Sequence, residues 1–502
     1  MNKRTRMLIQ QKTVRTAIIT LLASLLLGSI RSVADKAIFN VKDYGAVGDQ
    51  KTVNTAAIKK AIEAAVSADG GTVLFPAGQW MSGKIFMKSN VTLKITPDAT
   101  LLATPGPIYG EPKRSLSALI WGDGLENVTI TGGGVIEGKT GITRDRKPEG
   151  VGRRIIAFQR CKDLKITNVL LHHGGGTTLH LRSVNGIELG NMKVESFWDR
   201  DPDGGGDGRD GAIFDGCRNV RVYDSMFKGS DDAFSFKARE SGFKIVSENF
   251  KIERCTFASR SSNAIRFGSE TLADFRNIEI VDAKIEHAGK AGIGITMNDG
   301  AVIENVKYKN VEMRNVCAPI FIQIRDRDGV GKIRNMRFDN ITAPLISSIP
   351  EYKKRLPHGY WVAAISGLKE QPVENIVFNN LALTYPGGVK ETADKIAPPY
   401  PPLDYQPRKM GMRPASGFYI RHARGIEFHN LKIIHEKPDL RPAIVADHAE
   451  GILIDGAILP KSDGADCHVL VRGGKGVEVR KGGLVLKKAP AQRILEITQD
   501  KN

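Results

Sequence analysis

Cysteine is scarce: five residues in 502, namely Cys161, Cys217, Cys255, Cys317 and Cys467. An odd number at wide spacing, with no Cys-x-x-Cys pair, excludes a disulfide framework and a zinc or redox motif, so these thiols read as buried small hydrophobes. Beyond residue 34 no apolar run approaches the ~20 residues needed to span a bilayer. There is also no glycine-rich phosphate loop and no histidine-rich metal motif. What is present is an ordinary globular balance of 41% hydrophobic and 25% charged residues, with glycine raised to 53. That composition excludes bulk disorder and favours a turn-rich fold.

The first 34 residues read as a leader. Lys3, Arg4, Arg6, Lys12 and Arg15 precede an uncharged stretch from Thr16 to Ile30, and Ser32-Val33-Ala34 offers small residues for cleavage. The expectation is an exported protein, periplasmic or extracellular, with no membrane segment after removal. The formal charge of +18 then falls to about +12. Outside the cell a basic protein meets polyanionic glycans more often than nucleic acid, so an acidic polysaccharide or oligosaccharide is the expected partner. A monomer is expected, and no nucleic acid partner.

A nine-residue phrase recurs along the chain. It begins at Asn219 (NVRVYDSMF), Asn249, Asn277, Asn305, Asn335 and Asn375, with looser copies at Asn127, Asp163, Gly186, Gly425 and Gly451. From Asn219 to Asn335 the spacings are 30, 28, 28 and 30 residues. Each phrase alternates as a strand does and ends in turn residues. Short β units at a fixed period must stack to bury their apolar face. Propeller blades need ~40 to 45 residues, whereas 28 suits one coil of three short strands. The fold expected is all-β: a right-handed parallel β-helix over residues 35–485, with 486–502 as a tail. Thr55 to Ala68 has helical periodicity and suits a helix capping the open end. The expanded spacing beyond Asn335, with the proline-rich segment Pro398 to Pro407, predicts long loops near the C-terminal end.

Carboxylates gather at Asp199, Asp201, Asp203, Asp207, Asp210 and Asp231-Asp232. With Ala212/Phe214, Phe234/Phe236 and Ile265/Phe267 taken as inward pairs, Asp210, Asp232 and Asn263 fall at one ladder position. Asp231 stands beside Asp232. Neighbouring carboxylates raise one another's pKa, which suits shared acid and base work. The same count turns Arg266 outward, between Ser235 and Gly294 on adjoining coils.

At these residues the sequence resembles glycoside hydrolase family 28, the polygalacturonase and rhamnogalacturonan hydrolase family. Gly208-Arg209-Asp210-Gly211 stands where that family has Asn-Thr-Asp-Gly, and Ser230-Asp231-Asp232 where it has Gly-Asp-Asp, with Lys237 at the family's spacing. The opening, FNVKDYGAVGDQKT followed by GGTVLFPAGQWMSGKIFMKSN, is similar to the usual start of these proteins. The resemblance implies a β-helix that hydrolyses pectic chains with inversion and needs no cofactor or metal. Asp231 would be the general acid, and Asp210 and Asp232 would hold and deprotonate water.

Two departures bear on substrate. Ser262-Asn263-Ala264 replaces the family's Gly-His-Gly, and Gly294-Ile295-Thr296 replaces its Arg-Ile-Lys, which grips the substrate carboxylate. Asn263, Arg266, Lys237 and His422 are the expected substrate-binding residues; either Arg266 substitutes for the lost cations or this subsite takes a different or neutral sugar. The Asp199 to Asp210 spacing also matches much of an EF-hand calcium loop, or is simply an acidic loop. Trp198, Tyr360, Trp361 and Tyr405 are candidates for stacking on sugars or for packing. A lyase of the same fold and a non-catalytic glycan binder are the rival functions.

Overall fold

The computed structural model describes residues 37–104, 118–138, 154–174, 176–196, 209–239, 245–346, 360–481 and 483–490. Residues 1–34, Trp198 and the Asp199 to Asp207 stretch lie outside these residues.

The recurring asparagine makes the coil turn. Asn219, Asn249, Asn277, Asn305, Asn335 and Asn375 all have φ between 53° and 60°, as do Asn127 and Asp163 at 54°. This left-handed bend is one that Asn tolerates better than most residues, and Gly186, Gly425 and Gly451 adopt it at the looser copies. Stacked on one another, the side chains form a hydrogen-bonded row. The Asn249 amide donates to Asn219 Oδ1 at 3.1 Å, and Asn375 donates to Asn335 at 3.2 Å. A second bend five residues later carries its own row, Asn310 on Asp282, Asn340 on Asn310 and Asn380 on Asn340, at 2.7 to 2.8 Å. The periodic Asn in the sequence thus marks one bend of the coil, and this second row marks another.

Between bends the chain forms short strands that pair with equivalents one coil away. Arg218–Tyr223 pairs parallel with Asn185–Gly190 and Ser247–Glu253 on a first face. Met226–Gly229 lies between Lys193–Ser196 and Thr256–Ser259 on a second. Phe234–Ala238 lies between Ala212–Asp215 and Ile265–Thr271 on a third. In two later coils, Phe275–Met297 and Val302–Ile324, strand pairing continues round all three faces. The result is a right-handed parallel β-helix.

Every second side chain turns inward and meets its counterpart one coil away, close to the ~4.8 Å strand spacing. Phe236 and Phe267 stack at 4.4 Å, Phe338 and Phe378 at 4.8 Å, and Phe378 and Phe428 at 5.0 Å. All five cysteines are buried free thiols. Helix Thr55–Ser67 buries Ile58, Ala61, Ile62 and Ala65 against the first strands, hiding the edge at that end. At the other end the ladder runs through Val469–Arg472 to Leu486–Ala489, so the first residues after 485 still pair as a strand. Among the described residues no helix is long and apolar enough to cross a membrane.

Candidate active site

The bend from second to third face carries the aspartates, and backbone hydrogen bonds fix its register. Thr178 N donates to Asp210 O, Gly211 N to Asp232 O, and Ala233 N to Asn263 O, at 2.9 to 3.1 Å. Position 211 must be glycine, because a Cβ there would collide with the Ala233 carbonyl oxygen. That close approach gives the Asp-Gly pair its structural sense. Beyond the bend Ala212 faces Phe234, which faces Ile265, and all three are fully buried. Asp210, Asp232 and Asn263 therefore occupy one row.

One oxygen from each of Asp210, Asp231 and Asp232 lies within 4.8 Å of the others. Asp210 and Asp232 are buried, while Asp231 is half-buried, the one carboxyl of the three with an open side. Burial pushes the Asp210 carboxyl up to about 7. Lys237 opposes this, and the neighbouring charges of Asp231 and Asp232 add to it. Burial also disfavours the Asp232 carboxylate, but Arg266, Lys237, Lys290 and a hydrogen bond from Asn263 outweigh it and hold Asp232 below the usual range. Asp232 Oδ1 accepts from Ser262 Oγ at 2.7 Å, Asn263 N at 3.0 Å and Asn263 Nδ2 at 2.8 Å. Two adjacent carboxyls thus prefer opposite protonation states near neutral pH.

Lys237 joins this cluster, its Nζ donating to Asp210 Oδ2 at 3.3 Å and lying 3.9 Å from Glu270. Burial works against its charge, yet Asp210 and Glu270 raise its pKa. Lys237 is thereby a buried counter-ion of Asp210 as well as a candidate for substrate.

Arg266 was expected to turn outward on the aspartate face and reach substrate. It does sit between Ser235 and Gly294, and its Nη1 lies in the space a side chain at 294 would take. But it is only 1% exposed. Its Nη2 donates to Thr296 Oγ1 at 2.8 Å, and the Tyr405 ring lies over the guanidinium at 5.2 Å. The loop bearing Tyr405 folds back over the third face. Gln323 donates to Asp404 O at 3.3 Å, and Arg325 donates to Pro402 O and Leu403 O at 3.2 and 3.1 Å. The sequence could show that Gly294 leaves room for Arg266, but not that this distant loop closes over it.

His422 is not brought to the aspartates. From Ser235 the ladder passes through Arg266, Gly294, Phe321 and Ala364 to Tyr419. Five steps of ~4.8 Å place His422 about 24 Å along the axis. Its ring packs against Tyr400 and His448, and burial lowers its pKa to about 4. Trp361 and Tyr360 are buried in the core and present little surface for a sugar.

Sequence reasoning missed the charged row behind Asp210. Arg182, Asp215 and Lys237 are successive partners on the third face, with Arg182 Nε donating to Asp215 at 2.9 Å. The count that aligned Asp210 with Asp232 also aligns these three, so the signal was there. His180, two residues before Arg182 and in the row of Ser235 and Arg266, is fully buried, accepts at Nδ1 from Arg154 Nε at 3.2 Å, and has its pKa driven down by burial to about 3.

Residues 38–296, more than half of the chain, match the family model described as rhamnogalacturonase A/epimerase, pectate lyase-like. The chain belongs to that family, as a divergent member akin to glycoside hydrolase family 28. It is 25% identical over 371 residues to a probable polygalacturonase of Vitis vinifera, covering 68% of this chain and 73% of that protein. An exo-poly-alpha-D-galacturonosidase of Dickeya chrysanthemi is 22% identical over 446 residues, with 68% and 71% covered. Among solved structures, the family 28 exopolygalacturonase of Yersinia enterocolitica superposes with a TM-score of 0.62 at 18% identity, covering 84% of this chain and 79% of that one.

Proposed function

We propose that the chain hydrolyses glycosidic bonds in pectic or related acidic polysaccharide, with Asp231, Asp232 and Asp210 as its acid and base groups. The observation that carries this reading is the triad itself: three carboxyls within 4.8 Å, of which Asp231 alone is partly open. Its relatives' names, polygalacturonase and exo-poly-alpha-D-galacturonosidase, support the substrate class.

In this reading Asp231 donates its proton to the glycosidic oxygen as the bond to the anomeric carbon breaks. Asp232, held ionised by Asn263, Ser262 and Arg266, takes a proton from the attacking water, whose oxygen bonds to that carbon. Asp210 shares the water and keeps the triad's spare proton near neutral pH, next to Asp231. The site is thus reset by proton transfer within the triad.

Inverting hydrolases usually hold their two carboxyls ~6.5 to 9.5 Å apart to admit the water between them. The triad is tighter, so in this proposal the water sits beside the aspartates, shared by Asp210 and Asp232. Proton NMR of the first-formed anomer tests this: an inverted product supports a water-mediated step, and retention would demand a covalent intermediate. Release of saturated reducing ends from a panel of pectic glycans tests hydrolysis itself. Ultraviolet-absorbing unsaturated ends would mean elimination. We also propose export, supported by the basic then uncharged pattern of residues 1–34; amino-terminal sequencing of protein recovered outside the cytoplasm tests it.

A further inference from the structure

A second cluster of ligand-type side chains lies on the second face, apart from the aspartates. Strand Val135–Glu137 pairs with Leu170–Gly174 so that Glu137 faces His172, and His172 faces Glu195 one coil on. Strand alternation would send His173 to the opposite side from His172. Instead His173 has a φ of 55°, uncommon for a residue other than glycine, and the register slips between His172 and Gly174. The slip swings the second imidazole alongside the first, with ring centroids 3.5 Å apart.

Both rings then aim the same nitrogen at one carboxylate. His172 Nδ1 is 2.9 Å from Glu137 Oε2, and His173 Nδ1 is 3.1 Å from Oε1 and 3.2 Å from Oε2. One ligand atom from each of the three residues lies within 4.8 Å of the other two. Zinc bonds of ~2.0 to 2.1 Å in a tetrahedron set ligand atoms about 3.3 Å apart, so only small adjustments separate this arrangement from a coordination sphere. On the far side of His172, Glu195 Oε2 faces Nε2 at 3.9 Å. That is where a metal-bound imidazole carries its proton, and a carboxylate there orients the ligand.

We propose that Glu137, His172 and His173 form a binding site for a first-row divalent transition metal, with zinc the ion that suits them best. Two imidazole nitrogens and one carboxylate favour zinc-like ions over calcium or magnesium, which prefer all-oxygen sets. Bound there, the ion staples two neighbouring coils together. One ladder step, His172 to Glu195, leads to the coil that carries Asp210, and a second, to Lys228, leads to the coil that carries Asp231 beyond Gly229. Held by side chains of two paired second-face strands, the ion serves as a structural element in this proposal. The competing account is that the two imidazoles simply hydrogen-bond to a shared carboxylate.

The test uses the full chain, stripped by chelator and titrated with zinc, then with cobalt(II) as a visible reporter. Wild type is expected to bind one zinc, to show cobalt absorption bands from nitrogen ligation, and to melt at higher temperature with zinc. His173→Asn keeps a residue type that accepts the positive φ, and Glu137→Gln keeps the volume. Each should weaken zinc binding by at least about tenfold, a loss expected of a ligand since even supporting residues cost 10- to 100-fold. Asp231→Asn should bind zinc as wild type does. Wild type that binds no zinc overturns the proposal, a result that does not depend on any variant folding. Unchanged affinity in both His173→Asn and Glu137→Gln, or loss in Asp231→Asn alone, overturns it equally.

Discussion

Asn263 donates its side-chain amide to Oδ1 of Asp232 at 2.8 Å, and its backbone N–H reaches the same oxygen at 3.0 Å. Where the resemblance would place a histidine, this neutral donor stabilises a carboxylate without adding charge. Hydrogen bonds to the ionised form lower a carboxyl pKa. Asn263→Ala removes the side-chain bond and leaves the backbone one. The Asp232 pKa should therefore rise, and the acidic limb of the kcat/KM profile should move to higher pH. The loss is expected to be about 1.5 to 3 kcal/mol, the scale of a bond to a charged group. A pH–rate profile that keeps its acidic limb would contradict this role.

Asp210 titrates in the opposite sense. Its folded pKa of about 7 stands above the ordinary aspartate value of 3.8 because burial penalises the anion. The folded state then holds this proton where the unfolded chain has released it, so the stability it confers is complete at low pH and is lost as pH rises towards 7. Asp210→Asn keeps a neutral group at every pH. Relative to wild type its melting temperature should rise between about pH 5 and about pH 8, as thermal melts at the two values would reveal. A difference that is constant across that range would remove Asp210 as the holder of the proton.

Because Arg266 is covered by Tyr405 and acts on Asp232, its loss should not discriminate between substrates. Arg266→Ala is expected to lower kcat about tenfold, the equivalent of ~1.4 kcal/mol, on acidic and methyl-esterified glycans alike. Kinetics on polygalacturonate and its methyl ester check the point. Selective failure on the acidic form would show that Tyr405 moves aside and that Arg266 meets the substrate carboxylate after all.

The asparagine row makes a prediction about stability. Asn277 sits at φ 55°, donates to Asn249 at 3.4 Å and accepts from Asn305 at 3.3 Å. Asn277→Ala should destabilise by ~1 to 2 kcal/mol, chiefly the cost of a left-handed alanine. Asn277→Gly frees the backbone of that cost and should lose less. Urea unfolding of the pair measures the difference, and equal losses would assign the stability to the side-chain row alone.

Much of this was legible because a parallel coil repeats its geometry. The Asn spacing fixes the bends, and alternation within Phe234-Ser235-Phe236 and Ile265-Arg266-Phe267 fixes which side chains share a row. The position of Asp210 against Asp232 followed from those two facts alone. What escaped is what breaks the repeat. The Tyr405 loop returns over Arg266 from more than a hundred residues away, a contact that no period encodes. His422 follows the long proline-rich loop and was expected in the cleft for that reason, yet the intervening coils carry it along the axis. His173 departs from alternation through one positive φ, which only coordinates reveal.

The central claim is that Asp231 is the acid of a hydrolytic triad, and one comparison tests it most directly. Wild type and Asp231→Asn are assayed for release of reducing ends from pectic polysaccharide, with circular dichroism to show that both are folded. The account predicts saturated products from wild type and a fall in kcat of at least about 100-fold in the variant, the usual scale for losing a general acid, with KM little changed. A folded Asp231→Asn protein that turns over at the wild-type rate would contradict it.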